Sequence, residues 1–232
     1  MVKSFYILLF ALTSTFVNAQ SFDHSKWESL LQSHVSNQGI VDYKSIKNNV
    51  AKLDAYLNQL AKTSSTESWS KDEKLAYWIN AYNAFTVKLI VDNYPLKSIK
   101  DIGKPWDKKF ISIGDDLISL NHIEHEILRK MSEPRIHFAI VCASYSCPNL
   151  LNKAFKAECL DKQLTDATKA FLASDKNNIS SNKIEISKIF SWFADDFKQN
   201  GTLIDFLNTY SEIQISKKAK KKFMDYDWNL NE

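Results

Sequence analysis

Glycine and proline are scarce in this chain, four of each in 232 residues, and that scarcity rules out architectures that need a turn every few residues. Barrels and sandwiches of many short strands depend on such punctuation. No stretch is biased enough to be of low complexity, and no period of 20–50 residues marks a repeat array. After the first residues, no run of 18 apolar residues exists to span a bilayer. Charge of one sign is also lacking. Thirty Lys and Arg stand against 27 Asp and Glu, a net +3, which gives no overall drive toward nucleic acid or anionic lipid. The rest is ordinary globular composition, 44% hydrophobic and 25% charged.

The first twenty residues set the expected compartment. Lys3, an apolar run from Phe5 to Leu12 and a small polar stretch ending Val17-Asn18-Ala19 have the pattern of a secretory signal. Its apolar core is too short to cross a membrane as a helix. Residues 1–19 are therefore expected to be removed, leaving residues 20–232 as one periplasmic or secreted domain without a membrane span. Three cysteines, Cys142, Cys147 and Cys159, then sit where disulfides persist, and the odd count leaves at least one unpaired within the chain.

Patterning predicts helices over residues 27–35, 43–60 and 72–93, the last with Ser70 or Asp72 as N-cap and Pro95 beyond its end. Leu75, Trp78, Ile79, Tyr82, Phe85, Thr86, Leu89 and Ile90 form one broad apolar stripe on it, flanked by the amides Asn80 and Asn83. A hairpin is expected where 110–113 and 117–120 flank Gly114-Asp115-Asp116, then a helix over 121–131. The apolar run 136–143, which contains His137, reads as a doubly covered central strand. A helix over 160–174, a second hairpin around Ser181-Asn182 and two short helices within 188–210 follow. This order is that of an α+β domain, helices packed on a small, mainly antiparallel sheet. The basic run 217–222 reads as the solvated face of a terminal helix, since nothing aromatic interleaves its charges.

Chemistry-bearing residues concentrate in 121–148. On an α-helical wheel Glu124 falls among Ile123, Ile127 and Leu128, and a carboxylate so placed needs a partner, with Arg135 and His137 the nearest in sequence. His122 and His125 point away from that face. Their spacing falls short of a zinc motif, so no metal and no cofactor is expected. Cys147 precedes Pro148, a residue suited to the first turn of a helix, where a thiol feels the positive helix end. Two arrangements follow. In one, Cys147 is a nucleophile, His137 its base, Glu124 the group that orients the imidazole, and Asn80 or Asn83 donors to an oxyanion. In the other, Cys142 and Cys147 form a disulfide, or are simply two buried thiols, and there is no nucleophile.

The stretches Tyr77-Trp78-Ile79-Asn80-Ala81-Tyr82-Asn83-Ala84, Leu120-Asn121-His122-Ile123-Glu124-His125, Pro134-Arg135-Ile136-His137-Phe138-Ala139, the run Cys142 to Pro148, and the closing Tyr226-Asp227-Trp228-Asn229-Leu230-Asn231 resemble the family called domain of unknown function 547. The resemblance spans roughly residues 45–231 and implies no established activity. The order of parts is similar to papain-like and transglutaminase-like folds, in which a buried helix packs on a sheet that carries a catalytic His. It departs from them in that the buried helix lacks a Cys and Cys147 follows His137. Two function classes stand: an exported cysteine-dependent hydrolase or acyl-transfer enzyme acting on peptide-like amides, and a non-catalytic domain that binds a peptide or small molecule.

Overall fold

A computed structural model describes residues 22–63 and 68–232. The expected signal segment, residues 1–19, lies outside them. The front of the chain forms α1 (Ser25–His34), α2 (Tyr43–Asn48) and α3 (Ala51–Ala61). The single helix expected over 43–60 is thus two, divided at Asn49, whose φ of −132° and ψ of 46° are not helical. Asparagine competes for backbone hydrogen bonds in this way. Trp27 of α1 stacks on Tyr56 of α3 with ring centres 5.8 Å apart.

α4 (Lys71–Asn93) is the central element. It starts with a capping box, Ser70 Oγ accepting from the Glu73 N–H and Glu73 Oε2 accepting from the Ser70 N–H, which contributes about 1 kcal/mol. It ends before Pro95, which forces extended backbone on Tyr94. The stripe predicted for it is wider than expected, since every residue from Leu75 to Val87 is buried. A helix buried all round lies inside the core rather than on its edge.

Beyond α4 come the hairpin strands β1 (Ile111–Ile113) and β2 (Asp116–Ile118), paired Ile111 to Ile118 and Ile113 to Asp116. The turn is the two-residue Gly114-Asp115, with Gly114 at a φ of +59°, so Asp116 belongs to the strand. α5 (Leu160–Leu172), the hairpin β3 (Asn178–Ile179) and β4 (Lys183–Ile186), α6 (Ile189–Trp192), α7 (Leu203–Tyr210) and β5 (Lys220–Phe223) complete the order. The sheet β3-β4-β5 joins an antiparallel pair to a parallel one. The molecule is α+β, with two small sheets where one was expected. The basic run is solvated as expected, yet residues 220–222 lie on the edge strand β5 and not on a helix. Exposed lysines on an edge discourage pairing with another chain.

The largest correction concerns residues 136–143. A short 3-10 helix, Pro134–Phe138, is followed by irregular chain, and no strand forms. The segment is covered on both sides, because it runs between two cores. One surrounds α4, and the other is rich in phenylalanine, with Phe138, Phe171, Phe190 and Phe197 packed around Ile184, Ile186 and Leu207. A continuous apolar run reports burial, which a strand and a buried coil share. Backbone groups in such a coil still need partners, and α4 supplies them. Asn83 Nδ2 donates to the Ala139 carbonyl and its Oδ1 accepts from the Val141 N–H, both at 2.9 Å. Asn80 does the same for Phe155, Nδ2 to its carbonyl at 2.8 Å and its N–H to Oδ1 at 3.0 Å.

Candidate functional site

Residues 121–131 form the floor of the site. They are helical as expected, but His122–Leu128 is a π-helix, continued by a 3-10 turn, Arg129–Met131. In a π-helix the hydrogen bond runs one residue further than in an α-helix, as from the Arg129 N–H to the Glu124 carbonyl. The wider turn moves each side chain off its α-helical wheel position, and such insertions are frequent at functional sites. His122 is exposed, as read from the wheel. His125 is not free of the interior, because it borders the same cavity as Glu124.

That cavity measures about 260 Å³ and takes its walls from five parts of the chain: Tyr82 of α4, Glu124 and His125 of the π-helix, His137 through Pro148, Trp192 and Phe193 at the end of α6, and Tyr226 and Trp228 near the C-terminus, with Trp106 at its side. The C-terminal segment is bound to the 143–147 turn by backbone hydrogen bonds from Tyr145 to Asn229 and from Ser146 to Asp227. Its aromatic rings form a cluster, Tyr226 lying 4.6 Å from Trp228 and 4.8 Å from Trp192, and Trp106 5.7 Å from Trp228.

His137 is buried and its Nε2 lies 2.7 Å from Asp196 Oδ2, while its ring stacks on Phe193 with centres 3.9 Å apart. Burial pushes the imidazole below the usual histidine range despite the carboxylate beside it. The neutral ring therefore carries its proton on Nε2 and donates it to Asp196, leaving Nδ1 as the acceptor. Arg129 clasps the same carboxylate through Nε at 2.7 Å and its second guanidinium nitrogen at 2.9 Å, and donates to His125 Nδ1 at 2.7 Å. Burial alone would raise the Asp196 carboxyl, but the hydrogen bonds from His137 and Arg129 outweigh it and hold the group well below the carboxylate range.

Glu124 is buried, as its wheel position implied, but its partner differs from both expected residues. It accepts from the Tyr82 hydroxyl at 3.2 Å, whereas Arg135 is engaged with Glu133 and Asp161. Desolvation pushes its carboxyl up to about 7, against the pull of Tyr82 and the more distant Arg129. Asp196, not Glu124, therefore orients the imidazole. Asn80 and Asn83, assigned as oxyanion donors, are spent on backbone clips. Cys142 and Cys147 form a disulfide, with Cα atoms 6.2 Å apart, and Cys159 is the free, half-buried thiol. Ala143 makes the closure possible by turning at a φ of +58°. Among the described residues no hydrogen bond joins His137 to either sulfur, although all three residues border the cavity. Ser144 Oγ and the Tyr226 hydroxyl lie 2.9 and 3.2 Å from Cys142 Sγ.

Asp196, Arg129 and the aromatic wall escaped the sequence reading. The one signal, for Asp196 alone, was the acidic pair Asp195-Asp196 between Phe193 and Phe197. Among the described residues no group of three or more His, Cys, Asp or Glu side chains is placed to hold a metal, and no helix is long and apolar enough to cross a membrane.

Fold and site define an α+β domain with an aromatic-walled cavity, a buried carboxyl and a histidine oriented by aspartate. Residues 66–172 match the family described as protein of unknown function, DUF547, a match that supports membership in that family. The match is narrower than the resemblance, which ran to the C-terminus. No curated protein and no solved structure shows a significant match to the chain.

Proposed function

We propose that this is a ligand-binding domain whose cavity takes a small molecule or the end of a peptide. The observation that carries the reading is the meeting of Glu124, His125 and His137 with Tyr82, Trp106, Trp192, Tyr226 and Trp228 around one cavity of about 260 Å³. Apolar walls with a few convergent polar groups are the usual makeup of such sites. The disulfide favours this reading over catalysis, because a sulfur bonded to sulfur is no nucleophile. A screen of small molecules and short peptides, read from the indole resonances of Trp106, Trp192 and Trp228, tests it. Hits should move these signals, and a screen that moves only other residues would refute it.

The pairing of His137 with Asp196 on the wall that also carries Cys147 supports a second reading, a cysteine-dependent hydrolase or acyl-transfer enzyme on peptide-like amides. It requires a dithiol reductant, which takes up the disulfide's oxidation and leaves two thiols. Cys147 then attacks the carbonyl while His137 takes its proton and passes it to the leaving amine, and water releases the acyl group. After reduction, Cys147 should alkylate rapidly near neutral pH, and more slowly in His137→Ala. Equal rates would remove the base. The signal-like residues 1–19 support export to a periplasm or beyond, for which intact mass of exported protein beginning at Gln20 is the check.

A further inference from the structure

The cavity contains a charge that the protein leaves uncompensated. Glu124 is only 7% exposed and among the described residues its carboxylate makes no ion pair, its one hydrogen bond coming from a neutral phenol. Arg129, the cation acting on it, spends its three donor nitrogens on Asp196 and His125. His125 accepts from that arginine, and burial pushes His137 below the usual histidine range, so both rings are neutral. Arg129 and Asp196 cancel, and among the residues that line the cavity the net charge is that of Glu124. A buried carboxylate is costly unless a cation meets it.

The walls supply the second half of a cation site. Aromatic rings attract cations through their electron-rich faces, and cages of them are the usual receptors for quaternary ammonium groups. Rings bordering this cavity already do so: Lys100 Nζ sits 5.0 Å from the centre of Trp228, and the Arg129 guanidinium 5.3 Å from that of Phe193. A primary ammonium needs three acceptors close around it, and although Glu124, Asn121, His137 and the tyrosine hydroxyls border the cavity, the larger part of its lining is aromatic and aliphatic carbon. A quaternary ammonium needs none. The volume, below the usual 300–1,000 Å³ range for ligand pockets, suits a headgroup rather than a large ligand.

We propose that this cavity is a receptor for a small quaternary ammonium compound, held among Tyr82, Trp106, Trp192, Tyr226 and Trp228 with the Glu124 carboxylate as its counter-charge. This assignment rests on the reading of the cavity as a ligand site and names the ligand's chemistry.

Because burial pushes the Glu124 carboxyl up to about 7, its attraction for the ligand's charge weakens below that pH, and the attraction of the rings remains. The other charged or titratable groups around it are Tyr82 from α4, His125 and Arg129 from its own helix, His137, Asp196 and Tyr226. Burial lowers both histidines and raises both tyrosines, and Asp196 is held low, so Glu124 is the first of these groups to change charge as pH falls through 7, and the pH profile of Glu124→Gln separates it from the histidines.

The test compares choline with 3,3-dimethylbutan-1-ol, which has the same shape with carbon in place of the charged nitrogen, by indole resonances and calorimetry on the oxidised protein. Choline should bind at least tenfold more tightly at pH 8. The preference should shrink several-fold by pH 5.5 and by a similar factor at pH 8 in Glu124→Gln, which retains the acceptor for Tyr82 and leaves the aromatic attraction. Equal binding of both probes to the wild type would overturn the cation assignment and leave the cavity a ligand site. Preference unchanged in Glu124→Gln would overturn the counter-charge. If neither probe moves the cavity's indoles while other compounds in the screen do, the quaternary ammonium assignment falls alone. If nothing moves them, the ligand-site reading falls with it.

Discussion

Replacing Asn83 by Ala separates a structural amide from a catalytic one. The side chain is 1% exposed and makes two hydrogen bonds to backbone that no other group serves in the same way, the Ala139 carbonyl and the Val141 N–H, each at 2.9 Å. Ala139 and Val141 are themselves buried, so water does not replace the lost partner. A buried donor or acceptor left unpaired costs about 1–3 kcal/mol. Two such groups give roughly 4 kcal/mol, a large part of the 5–15 kcal/mol that holds a typical domain together. For a chain of this size that corresponds to a fall in Tm of about 8–16 °C. Asn93→Ala is the control, since Asn93 is exposed near the end of α4 and bonds only the Leu89 carbonyl of its own helix; about 0.5 kcal/mol is expected there. Urea unfolding of both variants, compared at unchanged m-value, gives the two numbers. A loss below 1 kcal/mol for Asn83→Ala would show that the clip does not hold the 139–141 segment.

Three further outcomes are expected. Gly39 has a φ of +77° and a Cβ there would stand 2.5 Å from Asn149 Cβ, so Gly39→Ala should cost about 2–4 kcal/mol from strain and overlap, measured by the same unfolding curves; an unchanged midpoint would contradict it. For Glu124 the folded protein binds a proton that the unfolded chain releases near 4.5, the ordinary value for a glutamate, so stability falls as pH rises from there to about 7. Glu124→Gln should therefore gain on the wild type across that window, by on the order of 3 kcal/mol at most, and parallel stability profiles from pH 4.5 to 7.5 would exclude a raised carboxyl. Without reductant, unfolded protein should titrate one thiol, Cys159, and with reductant three; opening the short 142–147 loop should cost roughly 2 kcal/mol, and three thiols from the outset would remove the disulfide.

The helices of this domain were legible because each carries its own signals. Ser70 and Glu73 cap α4, Pro95 lies beyond its end, and the spacing of its apolar residues marks one side as interior. The hairpin at Gly114 is equally local, since only a residue free to adopt positive φ makes that turn cheaply. Glu124 could also be read as buried, because an acidic residue among Ile123, Ile127 and Leu128 has few places to go. What it bonds to could not be read. Tyr82 is 42 residues away along the chain, Asp196 lies 59 from His137, and Tyr226 lies 84 from Cys142. Pairings of this kind depend on how two cores are packed against one segment, not on the residues beside each partner. The segment 136–143 shows the limit most clearly: burial was encoded in its composition, but its backbone geometry was decided by Asn83, an amide on another element. Hydrophobic burial is non-directional and is written in composition; hydrogen bonds and charge compensation are directional, and only the assembled fold chooses their partners.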